Sequence, residues 1–249
     1  MSTAETGSAL GMEQTMSKRW KVLDGSWLKV LAVVTMIIDH SASVLLEDTY
    51  INLVQLGGRT LDLYELMRWI GRISFPLYAF LLVEGFLHTR SVKRYAGNLL
   101  LLAVLSEIPW NLEHSGGLLY SGQNVLFTLF FGLLGLWIIR DYQGDWRMKA
   151  ALLIGLLALS VVFRADFGCA GFGFILMLYL LRDHKLCQAV VGSCFLPARW
   201  VAGLAFIPIN LYNGKRGFIR GKLLKYAFYL IYPVHLLLLF WVRKMTIGY

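Results

Sequence analysis

A long apolar stretch near the start of the chain, Leu28–Leu46, constrains what this sequence can fold into. It reads LKVLAVVTMIIDHSASVLL and is long enough to cross the hydrocarbon core of a bilayer as one helix. It also carries an acid and an imidazole side by side, Asp39 and His40. Ionisable side chains are costly inside a membrane and usually face the interior of a bundle, where they serve a function. The sequence therefore predicts a bundle of membrane helices built around this pair.

The composition is typical of a protein that crosses the bilayer several times. Of its 249 residues, 57% are hydrophobic and 16% are charged, whereas soluble domains contain about 25% charged residues. The mean hydropathy is +0.60. This length allows one bundle and no separate soluble domain. We therefore expect a disordered cytoplasmic tail at residues 1–24, followed by a single transmembrane domain at residues 25–249.

Apolar segments of suitable length recur along the whole chain and predict an all-α, polytopic membrane helix bundle of about eight or nine transmembrane helices. The candidate segments are Leu28–Leu46, Leu66–Leu87, Tyr95–Trp110, Asn124–Ile139, Ala150–Phe163, Phe167–Leu181, Cys187–Leu211 and Leu223–Val242.

Short clusters of Lys and Arg between these segments predict which loops face the cytoplasm. The net charge of +9 could indicate nucleic-acid binding, but clusters placed between apolar runs are typical of cytoplasmic loops. The cluster before the first span, at residues 18–21, predicts a cytoplasmic N-terminus, and the alternation holds through six spans. The loop at residues 213–225 should also be cytoplasmic, because it contains Lys215, Arg216, Arg220, Lys222 and Lys225.

The basic loop at residues 213–225 conflicts with a single span at Cys187–Leu211, which would place that loop outside. Two short helices, broken near Pro197, would return the chain to the cytoplasm. Each half is too short for an ordinary lipid-facing span, so other helices must shield the pair. This hairpin leaves Arg243 and Lys244 outside, which argues against it. Five basic residues outweigh two, and the sequence favours a broken hairpin near residues 187–211.

Polar residues from five predicted helices reach a similar depth, in the outer half of the membrane, at a rise of about 1.5 Å per residue. They are Asp39, His40, Arg72, Glu107, Asn124 and His235. Isolated buried charges are costly, so these residues should pair. Arg72 with Glu107, or Asp39 with Arg68, could simply link helices. Two histidines and two carboxylates nevertheless favour a site, and an imidazole beside a carboxylate suits general-base chemistry.

Several motifs resemble those of the TraX family. They are MIIDHSASVLL, GRISFPLYAFLLVEGFLHT, KRYAGNLLLLAVLSEIPW, NVLFTL, LYNGKRG and KYAFYLIYPVHLLLL. Together they extend over nearly the whole chain after residue 25. The resemblance implies an integral-membrane acyltransferase in the bacterial cytoplasmic membrane. Such an enzyme transfers the acetyl group of acetyl-CoA to an amine or hydroxyl acceptor, such as a pilin-like N-terminus or an envelope sugar.

The resemblance also implies roles for individual residues. His40 becomes the candidate catalytic base beside Asp39, and the other candidate catalytic residues are Arg72, Glu107 and His235. Cytoplasmic basic residues could hold the phosphates of coenzyme A. The candidate cofactor-binding residues are Arg90, Lys93, Asn124, Lys215, Arg216, Lys225 and Tyr226. The expected partners are acetyl-CoA, the acceptor and the bilayer. We expect no metal and no nucleic acid.

Two other function classes use the same residues. A proton-coupled transporter could use the intramembrane charges as a proton path, although transporters often contain two related halves, and the sequence shows none. An enzyme-like scaffold without activity is a further alternative, which the presence of both His40 and His235 disfavours. The basic loops could also mark topology alone and attract anionic lipid.

Overall fold

The computed structural model describes residues 20–47, 51–56, 59–196 and 199–246. Helices dominate, which confirms the predicted all-α membrane bundle. The helices are α1 (Gly25–Leu45), α2 (Leu63–Gly71), α3 (Ser74–His88), α4 (Val92–Ser115), α5 (Val125–Asp141), α6 (Trp146–Val162), α7 (Gly168–Leu180), α8 (Lys185–Phe195), α9 (Arg199–Gly203), α10 (Phe206–Asn210) and α11 (Lys222–Thr246). An antiparallel pair, β1 (Asn52–Leu56) and β2 (Arg59–Asp62), follows α1.

Within the described residues, three segments are long and apolar enough to cross a bilayer by length and composition. They are Gly25–Leu45, Leu63–His88 and Leu223–Thr246, and the second of them comprises α2 and α3. The shorter apolar helices are Gly168–Leu180, Lys185–Phe195 and Val201–Asn210. One surface of α4 exposes Leu101, Val104, Leu105 and Ile108, as expected of a helix that faces lipid. The chain is therefore a polytopic membrane protein, and its number of full spans stays a prediction.

Aliphatic and aromatic side chains from α5 and α7 form a closely packed part of the core. Leu133, Leu136, Phe174 and Ile175 have no exposed surface. Gly132 lies directly against the Ile175 side chain, so no larger residue fits there. Small residues of this kind let membrane helices approach closely, and α7 thereby packs against α5, which contributes Val125, Leu126 and Leu129 to the cavity described below.

The second predicted span is divided into two helices at residues 72–73. The Arg72 N–H donates to the carbonyls of Arg68 (3.1 Å) and Trp69 (3.2 Å), which closes the last turn of α2. Pro76 lies in the first turn of α3, where its missing N–H costs no helical hydrogen bond. In a continuous helix its ring would clash with the carbonyl of Arg72, four residues earlier. The break therefore follows from the proline.

The segment after α7 folds back on itself, which confirms the predicted broken hairpin. Helix α8 ends at Phe195 and α9 begins at Arg199. Gly192 of α8 lies against the ring of Phe206, and Gly203 lies against the side chain of Ser193, with no room for a Cβ at either glycine. The two arms of the hairpin, α8 and the segment that begins with α9, therefore pack closely against each other at these two glycines.

The basic loop that follows the hairpin returns to the start of α1. The Leu23 N–H donates to the Leu211 carbonyl (3.0 Å), the Asn213 N–H to the Leu23 carbonyl (2.8 Å), and the Gly25 N–H to the Lys215 carbonyl (2.8 Å). This loop and the N-terminus of α1 therefore lie at the same end of the bundle. The chain is fixed from Leu23 onward, two residues before the expected boundary, and residues 1–19 of the predicted tail lie outside the described residues.

We expect the loop at residues 213–225 to be cytoplasmic in cells. Lys215 is exposed and makes a suitable labelling position, whereas Gly217 has a φ of +84° and no space for a side chain. After replacement of the three native cysteines by serine, a membrane-impermeant maleimide should react with Lys215→Cys only once bacterial spheroplasts are permeabilised. Leu119→Cys, in the loop after α4, is the matched control and should react in intact spheroplasts. Reaction of Lys215→Cys in intact spheroplasts would contradict the predicted topology.

Candidate functional site

A cavity of about 760 Å³ runs through the bundle between α1, α3, α4 and α11. Along α4 its lining extends from Arg94 to His114, which is about 30 Å of helix. That length matches the thickness of the hydrocarbon core. Positive side chains surround one end of the cavity, and acids, histidines and arginines line the other.

Five cations line the end of the cavity next to the start of α1, and we call them the basic mouth. They are Lys29, Arg90, Arg94, Arg216 and Lys225. Within the cavity lining, Glu84 is the acid nearest to them along the chain. Lys29 also lies close enough to Arg216 and Lys225 for the three positive charges to interact. Five cations with one nearby acid favour a ligand with several negative charges.

The residues that flank the basic mouth fix Arg216 in place. The Ser26 hydroxyl donates to the Arg216 carbonyl (3.0 Å) and accepts from the Ile219 N–H (2.7 Å). Asp24 caps α1 by accepting from the Ser26 and Trp27 N–H groups. Gly217 packs against the Asp24 carboxylate at a φ of +84° that favours glycine. The Arg216 side chain is thus carried by a loop bonded directly to α1.

The structure brings only part of the predicted cofactor-binding set to this mouth. Arg90, Arg216 and Lys225 line the cavity. Three others have exposed side chains outside the lining: Lys93, Lys215 and Tyr226. Lys29 was missed, because a lysine at the end of an apolar span looks like an ordinary interfacial anchor.

At the other end, His40 of α1 meets His235 of α11. His40 Nδ1 and His235 Nε2 are 2.6 Å apart, within hydrogen-bonding distance. His235 Nδ1 lies 2.8 Å from the Ile231 carbonyl one turn earlier in α11. His40 lines the cavity, whereas His235 is buried behind it, with only 7% of its surface exposed. The two predicted catalytic histidines therefore form one unit.

Asp39 does not bond its neighbour His40. Its Oδ2 accepts from Arg68 Nη1 at 2.8 Å, an ion pair that links α1 to α2. Gly71 packs against the Asp39 side chain and leaves no room for a Cβ. The other carboxylate oxygen, Oδ1, is buried and has no hydrogen-bond partner among the described residues. The acid that was expected to support the imidazole instead joins two helices beside it, and the partner of His40 is His235.

Arg72 lies at the break between α2 and α3 and lines the same part of the cavity. Among the described residues it forms no ion pair, although it lies within electrostatic range of Asp39 and Asp166. We call Asp39, His40, Arg68, Arg72 and Asp166 the polar layer. The guanidinium of Arg72 is therefore available within this layer to bind an anionic or carbonyl oxygen.

Glu107 and Asn124, which were predicted to lie at the depth of His40, lie outside the cavity lining. The Asn124 side-chain amide donates to Glu107 Oε1 and to the Ala103 carbonyl (2.9 Å), and its Oδ1 accepts from the Leu126 N–H (3.0 Å). Asn124 thereby caps α5 and joins it to α4. In this structure the two residues link α4 to α5, and their predicted catalytic and cofactor-binding roles stay predictions.

Three cavity residues escaped the sequence analysis: Asp166, which belongs to the polar layer, and Glu113 and His114 at the end of α4. Glu113 and His114 form an ion pair at the end of α4. Asp166 comes from the short loop between α6 and α7, whose next residue, Phe167, stacks on Phe75 of α3 with ring centroids 3.9 Å apart. Each lies at or beyond the end of a predicted span, where a charged residue is expected anyway, and the sequence gives no signal that separates them from ordinary loop charges.

Asp166→Asn should stabilise the protein, and more so at higher pH. The Asp166 side chain is exposed to the cavity, and the protein around the cavity weakens the hydration of its carboxylate. This loss of hydration raises the pKa of its carboxyl from 3.8 to about 6. Ionisation of the folded state is therefore disfavoured, and stability is lost as the pH rises from 3.8 to about 6. The asparagine side chain does not ionise, so Asp166→Asn avoids this loss of stability. Its thermal midpoint should exceed that of the wild-type protein by a margin that grows from pH 3.8 to about 6 and is constant at higher pH.

The control for Asp166→Asn is Asp145→Asn, which removes an exposed carboxylate outside the cavity. Thermal unfolding in one detergent at several pH values measures both variants. A margin for Asp166→Asn that stays constant from pH 4 to pH 8 would contradict the prediction.

The fold and this site define a class: a polytopic membrane protein with a polar cavity through its bundle, basic at one end and built around a histidine pair towards the other. The chain belongs to the TraX family, whose sequence profile, described as TraX protein, matches residues 24–243. The chain is also similar to a probable fimbrial assembly protein FimC, serogroup H1, from Dichelobacter nodosus. The two are 33% identical over 241 residues, covering 85% of this chain and 92% of the relative. No solved structure matches the chain.

Proposed function

We propose that the protein is an integral-membrane acyltransferase that moves an acetyl group from acetyl-CoA to an amine or hydroxyl acceptor. The observation that carries this proposal is that one continuous cavity joins the basic mouth to His40. The proposal places the basic mouth and the N-terminus in the cytoplasm of a bacterium, on the inner face of its cytoplasmic membrane.

The basic mouth suits the charged end of coenzyme A. Its phosphates are anionic, and Arg and Lys are the side chains that bind phosphate through charge-assisted hydrogen bonds. From Lys29 to His40 the cavity follows α1 for about 17 Å. A long, flexible pantetheine arm can extend over such a distance. The acetyl thioester would then lie beside His40, while the phosphates stay at the basic mouth.

The polar layer supplies the groups that acyl transfer requires. His40 takes the proton from the acceptor N–H or O–H as the acceptor atom attacks the thioester carbonyl carbon. The free guanidinium of Arg72 stabilises the negative charge that develops on the carbonyl oxygen. The carbon–sulfur bond then breaks, and the departing thiolate receives the proton from His40. The products are the acetylated acceptor and coenzyme A.

The similarity to the D. nodosus protein supports a fimbrial or pilin-type subunit as the acceptor. That relative is named for fimbrial assembly, and the N-terminal amine of a membrane-embedded subunit could approach the polar layer from the outer side. A hydroxyl of an envelope sugar is the other acceptor that this chemistry admits.

The decisive test uses purified protein in liposomes with acetyl-CoA labelled in the acetyl group. We expect saturable binding of acetyl-CoA and release of coenzyme A above the rate in empty liposomes, with water or a synthetic pilin N-terminal peptide as the acceptor. A proton-coupled transporter would use the same cavity and charges. Proton flux in the absence of acetyl-CoA, together with no acetyl-CoA binding, would overturn the proposal in favour of that alternative.

A further inference from the structure

The two histidine rings meet edge to edge. Their planes differ by only 4°, and their centroids are 4.9 Å apart. This centroid distance is close to the 2.6 Å nitrogen–nitrogen distance plus the two ring radii, so both rings lie in one plane along the line that joins the nitrogens. A ring nitrogen carries its proton or its lone pair in the ring plane. The contact therefore has the geometry of a well-aligned hydrogen bond.

The position of each proton follows from the backbone of α11. The Ile231 carbonyl can only accept, so His235 Nδ1 must be the donor in their 2.8 Å contact. A neutral imidazole has one N–H, which leaves His235 Nε2 as an acceptor. His40 Nδ1, 2.6 Å away, must then donate to it. With both rings neutral, the remaining nitrogen of His40, Nε2, carries a lone pair.

That lone pair faces the cavity. His40 lines the cavity, and its Nε2 has no hydrogen-bond partner among the described residues, since the contact with His235 uses Nδ1. A neutral histidine free in water prefers the opposite tautomer, with the proton on Nε2. In that tautomer the nitrogen that faces the cavity would be a donor and could not accept a proton from an acceptor group.

We propose that His235 is a positioning residue, which holds His40 in the tautomer whose basic Nε2 faces the cavity. This inference rests on the proposed acyl transfer and specifies how its base is prepared. A backbone carbonyl, the first histidine and the second histidine form a chain of hydrogen bonds in which each group orients the next. The Ile231 carbonyl and His235 thus orient the imidazole, as a buried carboxylate does in other catalytic units. Asp39, which is bonded to Arg68, does not orient His40 here.

The primary test observes the tautomer directly and does not depend on catalysis. In protein labelled with ¹⁵N-histidine, the wild-type spectrum should show His40 with a protonated Nδ1 and an unprotonated Nε2. Comparison with His40→Ala assigns its signals. In His235→Leu the proton of His40 should move to Nε2 or be shared between the two nitrogens. A wild-type protein whose His40 carries its proton on Nε2 would overturn the inference.

The kinetic test compares two substitutions of His235. Glutamine retains a carbonyl oxygen near the position of Nε2 and can still accept from His40, whereas leucine cannot. His235→Leu should lower kcat by at least about 10- to 100-fold, the cost of removing a group that orients a metal-binding imidazole, with KM for acetyl-CoA little changed. His235→Gln should recover most of that loss.

The two substitutions also separate orientation from structural support. Equal losses in both variants would show that His235 serves packing alone and would overturn the inference. An inactive wild-type protein that has the expected tautomer would overturn the acyl transfer and leave the tautomer assignment standing. Size-exclusion profiles of both variants establish that the folded state is retained.

Discussion

Replacing His40 with alanine should lower the rate of coenzyme A release by about 10²–10⁴-fold, because a positioned general base contributes about that much to a rate. Binding of acetyl-CoA should remain near the wild-type level. The basic mouth is about 17 Å from His40 along α1, and no hydrogen bond joins His40 to a residue of that mouth. The loss should therefore appear in kcat, with little change in the dissociation constant of a non-hydrolysable acetyl-CoA analogue.

The matched control for His40→Ala is His184→Ala, which removes an exposed histidine just before α8, outside the cavity. It should leave both turnover and binding unchanged. Asp39→Asn tests the neighbouring acid separately, since it removes the ion pair with Arg68 and leaves the His40–His235 contact in place. Turnover of His40→Ala at the wild-type rate would contradict the mechanism, and the nearby Asp166 and Glu113 would become the candidate bases.

The general design of the bundle could be predicted from sequence because its physical causes are local. An apolar run of sufficient length predicts a helix across the bilayer, as at Leu28–Leu46. The five basic residues around Lys215 predict the broken hairpin, since a single span would place them on the wrong side of the membrane. Both features depend on residue type and spacing along the chain, and the structure has both.

The depth of a residue in the membrane could also be predicted, whereas the side of its helix that faces the cavity could not. The rise per residue placed His40 and His235 in one layer although 195 positions separate them, and they are bonded. The same argument placed Glu107 and Asn124 in that layer, but these two residues join α4 to α5 outside the cavity. The side of a helix that faces the cavity depends on how the helices pack, and the low periodicity of nearly uniform apolar segments does not indicate it.

The partner of Asp39 illustrates the same limit. Both Arg68 and Arg72 line the cavity, but it is Arg68 that forms the ion pair with the carboxylate. Sequence spacing allowed Asp39 either to pair with Arg68 or to support His40, and only the packing of the helices decides between them. The loop residue Asp166 and the strands β1 and β2 were missed for another reason. Short polar connections between spans have no apolar pattern that predicts strands, and nothing in such a loop shows that one of its side chains lines a cavity.

The second large effect should come from the basic mouth. The double substitution Arg216→Gln/Lys225→Met removes two positive charges while nearly preserving the side-chain volume. A hydrogen bond to a charged group contributes about 1.5–3 kcal/mol, and exposure of Arg216 places it at the low end of that range. Acetyl-CoA should therefore bind about 100-fold more weakly, a factor of about ten for each lost contact. Binding should also depend less on ionic strength, because fewer charges remain to be screened.

Lys215→Met is the control that makes this test specific to the cavity. Lys215 is adjacent to Arg216 in the same loop, but its exposed side chain lies outside the cavity lining. Its loss should change acetyl-CoA binding by less than about fivefold, since one exposed charge contributes at most about 1 kcal/mol. Titration in nanodiscs of neutral lipid removes the competing effect of anionic headgroups. If Lys215→Met weakens binding as much as Arg216→Gln alone, general attraction by a positive surface would account for it, and the donor site would have to lie elsewhere. A loss confined to Arg216, Lys225 and, in a further variant, Lys29→Met would connect coenzyme A to the one end of the cavity from which its thioester can extend to His40.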